Sequence, residues 1–182
     1  WGIDANKQAV AFCHQRNLPR VYQEKFPHLK KITAKFDVIT CLDVLEHIET
    51  DRQALGTIKK LLKSGGYAII TVPAYPWLFS YWDTILGHYR RYSKTELKQK
   101  VKKAHLTIVK LSFVYAFLLP PVIPFRLIRH QLFKAKTPRS DFIKLPAIFH
   151  AALFFLATIE QKIIARASVP FGVSLLCVVT HK

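Results

Sequence analysis

FDVITCLDVLEHIETDRQALGTIKKLLKSGGYAIITVP, residues 36–73, reads as strand, acidic turn, helix, glycine turn and strand. Val38, Ile39, Cys41 and Leu42 form a nearly unbroken apolar run, as expected of a parallel strand buried on both faces. Thr50 or Asp51 can cap the next helix, in which Leu55, Ile58, Leu61 and Leu62 recur at helical spacing. Gly65 and Gly66 supply the left-handed stop such a helix needs. Tyr67 to Val72 is a second apolar strand, and Pro73 ends it because proline has no N–H for a ladder. Two short strands joined by a helix form a right-handed parallel unit, so the fold class is α/β.

The order FD, apolar run, D-x-x-EH, LLKxGG and apolar strand closing in proline resembles the second half of a class I S-adenosylmethionine-dependent methyltransferase. The resemblance covers about residues 1–105 and 168–182 and is weaker between them. It implies one domain over residues 1–182 with a Rossmann-like sheet, mostly parallel, an antiparallel last strand and helices on both faces. The last strand is expected within SVPFGVSLLCVVTHK, residues 168–182. The implied cofactor is S-adenosylmethionine, bound by Asp4, Cys41, Leu42, Asp43 and Glu46.

Asp4 ends a strand at Trp1–Asp4, where the family's carboxylate takes both ribose hydroxyls of the cofactor. Its other reading is an N-cap for a helix at Lys7–Arg16. The first strand and glycine-rich turn that should precede Asp4 are not in the sequence, and Gly2 lies on the wrong side of the acid to replace them. With no methionine and a start at Trp1, the sequence reads as a fragment. Arg20–Tyr22 is a short third strand, followed by Glu24 as the nearest acid for an adenine amino group, or as part of a solvated loop. Asp43, Glu46 and His47 fall at i, i+3 and i+4, on one side of a helical turn. Quinone-biosynthesis relatives carry a similar set that can hold a divalent cation; hydrogen bonding that fixes the loop is the competing role.

Residues 74–92, AYPWLFSYWDTILGHYRRY, crowd aromatic side chains at the carboxyl end of a parallel strand, where ligands bind in open α/β sheets. The stretch reads as a substrate lid, with Trp77, Tyr81, Trp82, Arg90, Arg91 and Tyr92 as candidate substrate contacts. His88 is the candidate catalytic base, because imidazole can take a proton near neutrality, and Asp83 can orient it or pair with an arginine. A lid pinned by Arg–Asp pairs, with His88 structural, is the alternative. Ser93-Lys94-Thr95-Glu96 is a capping box; Leu97, Val101 and Ala104 face inward, the lysines face water, and Leu106–Leu111 follows as a strand.

From Ser112 the character changes. Residues 113–128 and 145–159 are almost wholly apolar, the first broken by three prolines, and a basic stretch joins them. Neither run reaches the ~20 residues a spanning helix needs. Residues 113–167 therefore read as an apolar and basic insertion that lies on an anionic membrane surface, or packs on the domain or on a second subunit.

A net charge of +17 implies an anionic partner: bilayer, nucleic acid or phosphorylated substrate. A lysine-rich soluble protein is the bland alternative. Cys13, Cys41 and Cys177 are odd in number and set among apolar residues, which points to reduced thiols and a cytoplasmic location, peripheral to the inner membrane face. The acceptor expected is small or amphipathic: lipid-linked, isoprenoid or quinone-like. An RNA methyltransferase using the basic surface is the runner-up, although nucleic acid is the less expected partner. A non-catalytic membrane-associated scaffold is the third reading.

Overall fold

A computed structural model describes residues 1–132 and 146–181. Strands β1 (Gly2–Asp4) and β2 (Val21–Gln23) flank helix α1 (Lys7–Gln15) and pair in parallel. Asn6, not Asp4, caps α1, its Oδ1 accepting from the amides of Gln8 and Ala9. Strand β3 (Phe36–Leu42), a 3-10 turn (Leu45–His47), helix α2 (Asp51–Leu61) and strand β4 (Leu62–Pro73) form the expected parallel unit. Helix α4 (Lys94–Lys103), after the short α3 (Tyr81–Ile85), leads into β5 (Thr107–Val114). Strand β6 (Ser174–Thr180) lies between β4 and β5 and is antiparallel to both, giving the order β3-β4-β6-β5. The expected Rossmann-like α/β arrangement with an antiparallel last strand is thus present, as a mixed four-stranded sheet in which β3, β4 and β5 run in one direction, with β1 and β2 paired as a separate two-stranded sheet. Trp1 meets Phe36 edge-on at 5.9 Å, which sets the starts of β1 and β3 side by side.

The core forms where α2 and α4 cover one face of the larger sheet. Leu55 and Ile58 of α2 and Leu97 and Val101 of α4 pack with Cys41, Ile70, Val72, Leu175, Cys177 and Val179. The expectation that β3 is buried on both faces is corrected. Val38 is 55% and Leu42 52% exposed, because among the described residues only the Cys41 side is covered. The glycines also act differently from the expectation. Helix α2 ends at Leu61, β4 starts at once, and Gly65 (φ +76°) turns the chain inside β4, where its pairing with β3 shifts register. Thr50 stands at the N-cap of α2 without a side-chain cap bond, and Asp51 turns inward. Ser93 caps α4 by accepting from the Glu96 amide.

Burial pushes the thiols of Cys41 and Cys177 up to about 12, so almost no thiolate forms near neutrality. Iodoacetamide at pH 8 on the native protein is expected to label Cys13 alone, and all three cysteines after unfolding, as peptide mass mapping will read out.

Helices α5 (Leu119–Leu132, with Pro124 inside it) and α6 (Ala147–Arg166) make up the described part of the insertion. Glu160 of α6 accepts from the amides of Tyr115 and Ala116 at 2.7 and 2.6 Å, and the Lys110 ammonium donates to the Ile164 carbonyl. These bonds fasten α6 to the end of β5. Among the described residues no helix is long and apolar enough to cross a membrane. Most of the basic connector expected between the apolar runs lies outside the described residues.

Candidate functional site

The C-terminal ends of the parallel strands gather the chemistry. Pro73 and Val114 both pair with Ser174, and β3 runs parallel to β4, so the segments after β3, β4 and β5 emerge at one end of the sheet. Asp43 follows β3 in a left-handed conformation (φ +50°), its amide donating to the Thr71 carbonyl and hydroxyl. That kink leads into the 3-10 turn Leu45–His47. It also separates Asp43, which is exposed, from Glu46, which is 1% exposed.

The expected set of Asp43, Glu46 and His47 is therefore not gathered. The trio that is gathered comprises Glu46, His47 and His88, with one donor atom from each lying within 4.8 Å of the others. The imidazoles of His47 and His88 meet edge to face at 4.6 Å. Glu46 Oε2 is buried with no hydrogen-bond partner, and burial, helped by the charge of Asp43, pushes its carboxyl up to about 7. Two imidazoles and a carboxylate could hold a divalent cation, and the orphaned oxygen fits one.

Residues 74–92 fold into a 3-10 turn (Pro76–Leu78) and α3, closed by a reciprocal box between Ser80 and Asp83. Asp83, 0% exposed, is the hub. Its Oδ1 accepts from Arg91 Nε at 2.8 Å and lies 3.2 Å from His88 Nδ1; its Oδ2 accepts from the Ser80 amide at 2.8 Å and from Arg126 at 2.7 Å. Burial opposes ionisation, but the two guanidinium groups outweigh it and hold the carboxyl at about 2. Asp83 thus does both things the sequence suggested: it orients His88 and pairs with arginine. His88 is held below its ordinary value by burial and by His47, against the pull of Asp83.

The candidate substrate residues divide. Trp77 and Tyr81 are exposed and Trp82 is half-buried, on the rim of the site. Arg91 and Tyr92 are corrected from substrate contacts to internal ties. Arg91 is 7% exposed and bound to Asp83 and the Ala74 carbonyl, while Tyr92 is 0% exposed and donates to Asp51 at 3.0 Å. Arg90 reaches Asp51 and the Glu49 carbonyl, joining the lid to the start of α2. Lys100 also binds Asp51, at 2.6 Å, so it does not simply face water. Of the candidate cofactor residues, Asp4 ends β1 exposed and accepts from the Asn6 amide; Leu42 is exposed, whereas Cys41 turns its thiol into the core and offers a ligand only backbone. Glu24 is corrected from a solvated acid: it is 8% exposed and closes a loop by accepting from the amides of Lys30 and Lys31.

Sequence reading missed Arg126 and Glu160, which lie beyond the recognisable motifs. The one signal was their charge inside apolar runs, since such a side chain needs a partner.

Parallel strands whose carboxyl ends lie beneath an acidic bend and an aromatic lid are the arrangement in which open α/β sheets place their ligands. The methyltransferase domain family profile matches residues 1–111, and the chain belongs to that family. Together with the Rossmann-like sheet, this makes it a class I methyltransferase, the class of the similar enzymes named next, which depend on S-adenosylmethionine. A methyltransferase dependent on this cofactor from Clostridium acetobutylicum is similar over 100% of this chain and 74% of its own, at 14% identity and a TM-score of 0.57. One from Archaeoglobus fulgidus is similar over 98% and 74%, at 17% identity and a TM-score of 0.55. The [4+2]-cyclase SpnF is similar over 99% and 64%, at 19% identity and a TM-score of 0.58. No curated protein matches.

Proposed function

We propose that this methyltransferase acts on an amphipathic acceptor (lipid-linked, isoprenoid or quinone-like) while resting peripherally on an anionic membrane, on its cytoplasmic face. One observation carries the reading. The sheet end that bears the acidic bend also presents exposed Trp77, Phe79, Tyr81 and Tyr89, and anchors α6, on which Phe149, Phe154 and Phe155 are 56%, 77% and 64% exposed. A soluble surface seldom leaves such an apolar patch uncovered. The surrounding charge of +17 suits an anionic bilayer.

In this reading Asp4 and the exposed side chains of Leu42 and Asp43 hold the cofactor, which supplies an activated methyl group when bound. The protein's own work is alignment: the lid, tied down at Asp83 and Asp51, sets acceptor against donor and excludes water. Where the acceptor is a hydroxyl its proton must leave. His88, with Nδ1 on Asp83, keeps Nε2 as the ring nitrogen available for that purpose.

Flotation on phosphatidylcholine vesicles with and without phosphatidylglycerol tests the surface. The wild type is expected to float with the anionic vesicles, and Phe154→Glu with Phe155→Glu to lose about 10-fold or more of that binding, two buried rings being worth several kcal/mol. Flotation unchanged by the double substitution would overturn the membrane reading. RNA retention that falls steeply with salt would favour the RNA-methylating reading instead. Calorimetry with S-adenosylmethionine on the full-length protein separates enzyme from scaffold, since a fold does not by itself fix an activity. Asp4→Ala is expected to weaken binding about 10-fold there through loss of a charge-assisted hydrogen-bond pair.

A further inference from the structure

We infer that the opposite end of the sheet carries a second binding site, for a compact anion bearing several phosphates. A cavity of about 430 Å³ is lined there by Lys35, Arg52, Lys59, Lys60, Lys103 and two histidines, His105 and His181. Lys35 directly precedes β3, His105 precedes β5 and His181 follows the antiparallel β6, so all three lie at the end remote from the acidic bend. Helix α2 contributes Arg52, Lys59 and Lys60, and α4 contributes Lys103 at its last residue.

Three features separate this cluster from a solvated lysine face. No acid lines the cavity, and none of its five lysine and arginine side chains forms an ion pair or hydrogen bond among the described residues, although Arg90, Arg91, Lys100 and Arg126 all do. Like charges converging from separate elements repel one another, and a bound polyanion reverses the sign of that interaction. Second, His181 Nδ1 is buried and has no partner, although the His181 backbone is held by Gly65 and Gly66. Third, Gly56 opens the floor, since a Cβ there would meet nothing within 4 Å. The volume falls in the ~300–1,000 Å³ range of small-ligand sites. Lysines act as point charges on phosphate oxygens, and Arg52 can grip two at once. The chemistry is the same for a free polyphosphorylated metabolite and for a lipid headgroup. The inference does not depend on the methyl acceptor or on the apolar surface at the other end.

Inorganic tripolyphosphate, titrated calorimetrically into the full chain, tests the free form; vesicles of phosphatidylcholine with cardiolipin test the headgroup form. Each arm compares wild type, Lys59→Gln with Lys103→Gln, and Lys25→Gln with Lys98→Gln, the last pair removing equal charge from exposed positions outside both the cavity and α6. Saturable binding of one tripolyphosphate per chain, weakened about 10-fold or more by the cavity pair and less than about 2-fold by the control pair, is the result expected for a free ligand. The same selectivity in the vesicle arm alone identifies a headgroup. Equal weakening by both pairs in both arms, or no binding in either, would overturn the site.

Discussion

Asp83→Asn is expected to cost about 3–5 kcal/mol of stability, because it leaves a buried guanidinium without its counter-charge. The Asp83 carboxylate is 0% exposed and binds Arg91, itself 7% exposed, at 2.8 Å. An asparagine keeps the size but not the charge, and Arg91 cannot turn to water. Arg126 is 17% exposed and can swing out, so most of the cost arises at Arg91. For a chain of 182 residues the loss is a fall in Tm of about 10 °C, measurable by calorimetry. The pH dependence is a second readout. The carboxyl is held at about 2 against an ordinary 3.8, a difference worth roughly 2 kcal/mol. A group whose folded value is lowered stabilises above its unfolded value, and that contribution is lost as pH falls through the folded one. The gap between wild type and variant is therefore expected to be full above pH 4 and to shrink between pH 4 and 2. A gap that stays constant over that window would mean the carboxylate is not the lid's anchor.

That anchor shows which parts of the molecule could be read from the sequence. The β3–α2–β4 unit was legible because apolar period, acidic turn and closing proline lie within one short window and agree. The antiparallel place of β6 was implied by the resemblance alone, since its partners β4 and β5 are distant in sequence. The role of Tyr92 was not legible, and for Arg90 and Arg91 a lid pinned by Arg–Asp pairs stood only as the alternative to substrate contact. A cationic or phenolic side chain after a strand suits substrate and core alike until its partner is known, and Asp51 and Asp83 stand 41 and 8 residues from Tyr92 and Arg91 respectively. The replacement of Asp43 by His88 in the clustered trio has a similar origin. Spacing at i, i+3 and i+4 assumes a regular helix, whereas the left-handed kink at Asp43 and the 3-10 turn after it break that regularity.

Gly172→Ala and Gly56→Ala are expected to shift stability in opposite directions. At Gly172 a Cβ would sit 2.8 Å from the Val114 carbonyl carbon and 3.0 Å from the Val114 nitrogen, with the carbonyl oxygen nearer still. These are backbone atoms of β5 at the point where it pairs with Ser174 of β6, so no rotamer change can relieve the overlap. Either the turn before β6 moves outward or the β5–β6 ladder shifts. The cost is expected at about 3 kcal/mol or more, the upper range for overpacking in a site that cannot give way. Because Val114 leads directly into Tyr115, whose amide donates to Glu160, the same strain would loosen the attachment of α6. Hydrogen exchange at Tyr115 and Ala116 should rise together with the loss of Tm. Gly56 lies inside α2 with nothing within 4 Å of an added methyl and no left-handed φ, so alanine there removes only unfolded-state freedom. A gain of about 0.5–1 kcal/mol is expected. Chemical denaturation of both variants decides the matter: a Gly172→Ala protein as stable as wild type would mean that β5 and the turn before β6 do not approach as closely as described.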